Sequence, residues 1–373
     1  ASSVRGPSRP GTPAKAADRQ AAGGQAAGGQ LPGELGAVAG GGASKGCAAQ
    51  SGPRWTLSDL RVLRTVGTGF IGSVRVVKLR DGSDPAPYAL KIMKKAEVIR
   101  RKQVAHVMQE VQLLRQVDHP FIVKHLCSFQ DKAHLCIVME YLNGGELFRL
   151  IRKSHRLSPV VARFFSGEVV LALGHLHSMD IVYRDLKPEN TLIDCEGHLK
   201  ITDLGFAKVV PTRTWTVCGT PEYVAPEIIS TKGHSKPVDW WALGILVFEM
   251  LAGHSPFVAK SSQEIHAKVL GQDPVFPKHI KEAAASFIGE LLVKDKARRL
   301  GSGAGGVQDV KDHSWFESVD WDLMARKMYS PPIAPQVRPA DDTSLFDGYP
   351  EEPIDIGATS NLSPEEQRQF EGF

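Results

Sequence analysis

The chain has 373 residues, with 45 lysines and arginines against 41 acidic residues and a formal charge of +4. That length accommodates one two-lobed core or two ordinary domains, and so mild a charge does not call for a nucleic-acid partner. No run of about eighteen uncharged apolar residues occurs, so no transmembrane segment is expected; the five cysteines at 47, 127, 136, 195 and 218 have no metal-site spacing and fit a reducing compartment.

Residues 1–53 are dominated by Ala, Gly, Gln, Ser and Pro. Such a segment cannot bury enough apolar surface to offset its ordering entropy, so disorder is expected there. Next comes Gly67-Thr68-Gly69-Phe70-Ile71-Gly72, a G-x-G-x-x-G run. In a dinucleotide fold such glycines end a strand and open a helix. Here Leu63 to Val66 leads in and the β-branched stretch Val74 to Leu79 leads out, which reads as a hairpin folded over a nucleotide. No Gly-Lys-Ser/Thr follows, so a Walker loop is excluded.

Tyr88-Ala89-Leu90-Lys91 reads as a strand ending in a lysine able to reach the α- and β-phosphates. Val104, Val107, Val111, Leu114 and Val117 then recur every three or four residues, which predicts an amphipathic helix. Glu110 lies beside that stripe and can turn toward Lys91, since a carboxylate keeps an ammonium charged and aimed.

The most informative segment is Tyr183-Arg184-Asp185-Leu186-Lys187-Pro188-Glu189-Asn190. It sets a carboxylate (Asp185), a cation (Lys187) and a metal-binding amide (Asn190) on one short loop. Phosphoryl transfer to a hydroxyl requires such a set, because the protein must orient the hydroxyl and neutralise the moving phosphoryl group; the pattern is that of the protein kinase catalytic loop. Downstream, Asp203-Leu204-Gly205 supplies a carboxylate for magnesium and is followed by Ala225-Pro226-Glu227.

These motifs in this order, with Gly219-Thr220-Pro221-Glu222-Tyr223, Val238-Asp239-Trp240-Trp241-Ala242-Leu243-Gly244 and the terminal Phe370-Glu371-Gly372-Phe373, resemble the AGC group of eukaryotic protein kinases, and within it the catalytic subunits of cyclic-AMP-dependent kinases. The resemblance runs from about Trp55 to Phe373. It implies an α+β, bilobal kinase fold: an antiparallel β N-lobe with one main helix over about 54–139, a hinge over about 140–146, a mainly helical C-lobe over about 147–316, and a tail over 317–373 whose Phe370 and Phe373 dock on the small lobe. The implied activity is ATP- and Mg2+-dependent phosphorylation of Ser/Thr in Arg-Arg-x-Ser/Thr-apolar sites, under a cyclic-AMP-binding regulatory subunit. A cytoplasmic location, extending to the nucleus, goes with it.

Carried over residue by residue, the resemblance makes Asp185, Lys187 and Asn190 catalytic, with the Lys91–Glu110 pair. Asn190 and Asp203 would hold Mg2+. The nucleotide would lie among Gly67, Thr68, Gly69, Gly72, Val74, Ala89, Lys91, Met139, Glu140, Leu142, Glu146 and Leu192, with Phe346 of the tail closing over it. Glu146, Glu189 and Glu249 would receive substrate arginines, and Val217, Pro221 and Val224 would form the pocket for the apolar residue after the acceptor. Thr216 would be the activating phosphosite, with Arg184, Lys208, Arg213 and His106 gathered about it. Asp239 would grip the catalytic loop, and Arg299 would pair with Glu227.

Several positions depart from the pattern. Leu204 replaces Phe after the metal-binding Asp, and Phe70-Ile71 stands at the glycine-loop tip where close relatives have Ser-Phe. His125 falls where the apolar spine joining the lobes expects Leu, a gap that Leu126 fills if the register shifts by one; Thr191 replaces another Leu beneath the adenine. Gly357 occupies a tail phosphosite, with Thr359 and Ser360 close by, and His254, Val258 and His266 replace aromatic residues of a docking surface. A pseudokinase scaffold is the alternative, as is an AGC kinase of a branch not controlled by cyclic AMP. The scaffold's signature is loss of a polar catalytic residue, and Lys91, Glu110, Asp185, Lys187, Asn190 and Asp203 are all present.

Overall fold

The computed structural model describes residues 55–373 except Val217, Arg338, Ile356 and 358–360. The expectations for residues 1–53, Val217, Thr359 and Ser360 therefore lie outside the described residues. Five strands open the fold: β1 (Leu60–Thr68), β2 (Gly72–Leu79), β3 (Tyr88–Lys94), β4 (His125–Gln130) and β5 (His134–Glu140). They form one antiparallel sheet in the order β1-β2-β3-β5-β4.

Alternation along each strand divides the side chains between two faces. Tyr88, Leu90, Ile92, Cys136 and Val138 pack with Leu57, Leu60 and Val77 in an outer cluster. The cross-strand rows Val74, Lys91, Ile137 and Val76, Ala89, Met139 share the other face. Lys91 thus points inward because it is one residue out of phase with the outer apolar set, and helix α2 (Val104–Gln116), which follows the short α1 (Lys95–Arg100), buries Val107, Glu110, Val111, Leu113 and Leu114.

The second lobe is mainly helical. Helices α3 (Leu147–Ser154) and α4 (Pro159–Ser178) precede two small strand pairings, β6 (Ile181–Val182) with β9 (Lys208–Val209) and β7 (Thr191–Ile193) with β8 (Leu199–Ile201). Then come α5 (Pro226–Ile229), α6 (Pro237–Ala252), α7 (Ser262–Gly271) and α8 (Glu282–Leu291). The starts of α4 and α6 are marked by Pro at the first turn, and Ser158 Oγ accepts from Val161 N. Helix α4 is long and apolar enough in composition to cross a membrane, but 67% of its most apolar window lies inside the fold. A helix that is apolar all round belongs in a protein core, and α4 and α6 pack together there. The architecture is the expected bilobal one.

The spine substitutions resolve differently from each other. A register slip between His125 and Cys127 bulges β4, but Leu126 packs with the outer cluster. It does not replace the leucine expected at position 125, contrary to the register-shift expectation. The His125 Nε2 is buried without a partner among the described residues, and burial pushes its pKa down to about 4. Thr191 is buried too, yet its hydroxyl donates to Lys187 O (3.2 Å) and Pro188 O (3.0 Å), so its polarity is satisfied.

Candidate active site

The cleft between the sheet and the helical lobe encloses about 370 Å³. Its roof is the hairpin between β1 and β2, closed by a hydrogen bond from Gly69 N to Gly72 O (2.7 Å). Gly72 is obligatory on steric grounds: a Cβ there would lie 2.2 Å from the Ile92 carbonyl oxygen. All the candidate nucleotide residues line this one cavity, including Val74 and Ala89 above, Leu192 below, Met139 and Leu142 at the back and Phe346 from the tail. The tail reaches it by crossing the hinge. Tyr141 Oη donates to Asp342 O (2.8 Å), Asn143 Nδ2 donates to Ala340 O (3.2 Å), and the Tyr141 and Phe346 rings lie 5.9 Å apart.

Glu140 differs from the rest. Its carboxylate accepts from Lys200 Nζ (2.6 and 2.8 Å) and from Lys124 N (2.7 Å). The side chain is thus committed to the fold rather than free for a ligand.

Lys91 Nζ lies 2.6 Å from Glu110 Oε1 and 3.3 Å from Asp203 Oδ1. Burial works against its ammonium, but Asp203 and then Glu110 outweigh that and hold its pKa above the ordinary lysine value. Reciprocally, Lys91 holds the Asp203 carboxyl below the usual range against the effect of burial. The three side chains therefore form a charged chain from β3 to α2 and to the segment after β8. Asp203 itself adopts φ +57, a conformation unusual for a non-glycine residue, and its Oδ1 accepts from Gly205 N (3.1 Å).

Below it, Asp185 is buried and accepts from Lys187 Nζ (2.9 and 3.1 Å) and from Asn190 Nδ2 (2.6 Å). Burial pushes its carboxyl up, with Lys187 opposing. Lys187 Nζ also reaches Thr220 Oγ1 (3.2 Å), joining the loop to the segment that follows Thr216. Since the Asn190 nitrogen is engaged by Asp185, its carbonyl oxygen is the atom left to ligate a metal. Among the described residues no group of three or more His, Cys, Asp or Glu could hold a metal ion. Magnesium does not need one: it commonly takes one or two carboxylates and completes its shell with waters and substrate phosphates, so Asp203 and Asn190 fit it.

The loop is positioned from beneath. Asp239, fully buried in α6, accepts from Tyr183 N (2.9 Å), Arg184 N (2.8 Å) and the His177 ring (2.8 Å). That grip holds Arg184 at φ +67. Arg299 and Glu227 form a buried two-point pair at 2.7 and 2.9 Å, the bidentate geometry arginine favours.

Glu146 and Glu189 both line the cleft mouth. Burial, then Glu189 and Asp347, pushes the Glu146 carboxyl up to about 7. Glu249 is raised by burial against a hydrogen bond from Tyr223 Oη, with Glu189 and Glu222 adding repulsion. The three candidate arginine receptors thus share one acidic field. Pro221 and Val224 flank the 3-10 turn Pro221–Tyr223 at its edge.

Thr216 is exposed, and no side-chain hydrogen bond joins it to the four candidate cations among the described residues. Lys208 donates to Thr214 Oγ1 (3.2 Å), the His106 ring meets Gln103 Oε1 (2.8 Å), and Arg213 packs against Gly233. Arg184 donates from Nε to Phe206 O (2.8 Å) and leaves Nη1 buried without a partner among the described residues. On the expected docking surface, Val258 is exposed while the His266 Nε2 is buried without a partner among the described residues.

Sequence reasoning missed Glu351, whose carboxylate accepts from Thr65 N and Oγ1, both at 2.7 Å, tying the tail to β1 where it enters the glycine loop. It also missed Gln103, the N-cap residue of α2, and read His106 only as a neighbour of Thr216, whereas both line the cleft; both lie two turns or less before Glu110, and that proximity was the available signal.

The family described as the protein kinase domain matches residues 60–316. The cAMP-dependent protein kinase catalytic subunit PRKX of Homo sapiens is 46% identical over 321 residues, covering 86% of this chain and 88% of that protein. The cAMP-dependent protein kinase type 3 of Saccharomyces cerevisiae is 46% identical over 305 residues, covering 82% and 76% respectively. The cAMP-dependent protein kinase catalytic subunit 3 of Drosophila melanogaster is 46% identical over 298 residues, covering 80% and 51%.

Proposed function

The chain belongs to the protein kinase family, as a serine/threonine kinase that uses ATP with Mg2+, and from that premise we propose that it phosphorylates Arg-Arg-x-Ser/Thr-apolar sites under a cyclic-AMP-binding regulatory subunit. The observation that carries the substrate reading is the acidic field of Glu146, Glu189 and Glu249, two of whose carboxyls are raised, chiefly by burial and further by neighbouring carboxylates. Guanidinium groups suit such a field, pairing with carboxylates through paired hydrogen bonds.

In this reading Asp185 accepts the proton of the acceptor hydroxyl, and Lys187 steadies Asp185 and neutralises charge on the moving phosphoryl group. Asp203 and Asn190 would hold magnesium, which would supply charge neutralisation on the phosphate oxygens. Lys91, aimed by Glu110, orients the nucleotide phosphates. The catalytic unit we assign is 54–316, with 317–373 acting as a strap on its small lobe. The scaffold alternative gains nothing from a site in which the Lys91–Glu110–Asp203 chain is assembled. A cytoplasmic location, extending to the nucleus, and protein substrates rather than nucleic acid belong to the same proposal.

The experiment is a positional scan of acceptor peptides with Mg-ATP. Arginine should be preferred two and three residues before the acceptor. Each such contact is worth about 1.5–3 kcal/mol, so alanine in its place should lower kcat/KM by about ten- to a hundredfold. Equal rates on an acidic peptide overturn the assignment, and inhibition by a pseudosubstrate regulatory subunit that cyclic AMP does not relieve overturns the regulator.

For Thr216 we propose phosphorylation as the activating switch. Among the described residues Arg184 Nη1 lacks an acceptor, and both Arg184 and Lys208 act electrostatically on Cys218, two residues beyond Thr216. A phosphate there would add one to three charge-assisted bonds or so. Mass spectrometry should find it in active preparations, and a fully active Thr216→Ala enzyme would remove the switch.

A further inference from the structure

The glycine-loop tip is held from outside the loop. Of its two central residues, Ile71 turns inward against the core, whereas Phe70 is turned out and 65% exposed. A large apolar ring left in water normally has no fixed place. This one lies flat against a guanidinium: the Arg101 Cζ is 3.9 Å from its ring centroid. Arg101 is the residue on which α1 ends, and its backbone N–H closes the helix by donating to the Glu97 carbonyl oxygen (2.9 Å). Its Nε donates to the Glu97 carboxylate one turn earlier, which fixes the plane of the fork. Two residues further on, Gln103 caps α2, and Gln103 and His106 line the same end of the cleft as Phe70.

We propose that Arg101 is a positioning residue for the nucleotide phosphates: aligned by Glu97, its guanidinium is the platform on which Phe70 rests, so that the glycine loop is held down over the phosphates and tied to the junction that starts α2. The proposal rests on the reading of the cleft as the ATP site. It gives the departure at the loop tip a purpose, because a small residue at position 70 would leave the guanidinium with no ring to carry. The same contact links the loop to the helix that carries Glu110, so loop closure and the Lys91–Glu110 pairing favour each other.

Steady-state kinetics on the full chain test this with Arg101→Ala, Phe70→Ala and the double variant. An exposed cation–π contact predicts a rise in KM for ATP of about two- to fivefold in each single variant. KM for the peptide and the melting temperature should not change. The double variant should be no worse than the poorer single one, since both remove the same contact. Deuterium uptake at residues 67–72 should rise in Arg101→Ala. Arg101→Lys separates this role from a direct charge effect: a lysine restores ATP affinity fully if charge alone matters, and only partly if the planar face is what the ring needs.

An unchanged KM and unchanged loop exchange in Arg101→Ala overturn the proposal, as do a double variant whose effect is the product of the two singles and a full rescue by lysine. Failure of the ATP-site reading would look different. Lys91→Ala would then leave ATP binding intact, a result that does not depend on Arg101.

Discussion

Tyr183–Asn190, the floor of the cleft, hangs from Asp239, a carboxylate with 0% exposure, and is braced by bonds among Asp185, Lys187 and Asn190. Gly67–Gly72, the roof, is held by contacts that each have a partner in water: the exposed Phe70 on Arg101 at the tip, and the half-exposed Glu351, from the tail, on the buried Thr65 at the base. A buried ionic network has few alternative arrangements, because any member left unpaired costs its full desolvation. Exposed contacts exchange with water at small net cost. On the proposed mechanism, the part that orients a proton acceptor is therefore the rigid one, and the part that lifts to admit and release a nucleotide is lightly tied, as gating elements tend to be.

The largest effect should come from the floor. Asp185→Asn removes the proposed proton acceptor while keeping shape, and general-base contributions of about a hundred- to ten-thousandfold set the expected fall in kcat. Asp239→Asn should combine a loss of activity with a loss of stability, since its two backbone donors and His177 would face a weaker acceptor in a buried place; about 1–3 kcal/mol is expected in denaturant unfolding. If Asp239→Asn melts with the wild type and retains its activity, the floor is not the rigid element and the contrast with the roof collapses.

Much of the floor was legible in the sequence because its residues are close together in the chain. Asp185, Lys187 and Asn190 lie within six residues, and a local motif carries both chemistry and geometry. Lys91 and Glu110 were legible through periodicity, the strand's two-residue and the helix's three-to-four-residue repeat each choosing a face. The roof was not. Glu351 and Thr65 are 286 positions apart, and neither a half-exposed glutamate nor a strand threonine carries a signal for the other. Leu126 was misjudged for a related reason: one bulged residue flips the face on which its neighbours project, and a bulge leaves no mark in the alternation of His125-Leu126-Cys127.

The cleft mouth lies between the two extremes, and pH sharpens the comparison there. Glu146 is raised from the ordinary 4.5 to about 7, chiefly by burial. In the free enzyme its proton is bound more tightly than in the unfolded chain, so the carboxyl subtracts stability as pH rises from 4.5 toward 7. An arginine bound beside it removes that cost. Between about pH 6 and 8 the ionised fraction rises by roughly tenfold, and KM for an Arg-Arg peptide should fall by a similar factor. Stabilisation of the enzyme by the peptide should be larger at the upper pH. Glu146→Gln should flatten both curves; a pH-independent wild type means that Glu146 is not in contact with the peptide.

The smallest effect should come from the base of the roof. Glu351 is ionised at neutral pH, its carboxyl held below the usual range by the two Thr65 donors, but its side chain is half exposed and Arg75 approaches only to 4.0 Å. Replacing it with Gln keeps the reach and weakens both bonds. Because water can take over part of what is lost, a rise in KM for ATP of about two- to fivefold is expected, with kcat and melting temperature near the wild type. Thr65→Val removes the hydroxyl and leaves the backbone N–H, so it should recover only part of the effect, and the double variant should show coupling rather than a sum. A tail carboxylate that merely decorated the surface would give no coupling. A loss as deep as that of Asp239→Asn would mean that the tail is part of the rigid frame, and that the nucleotide is released by some movement other than the lifting of this loop.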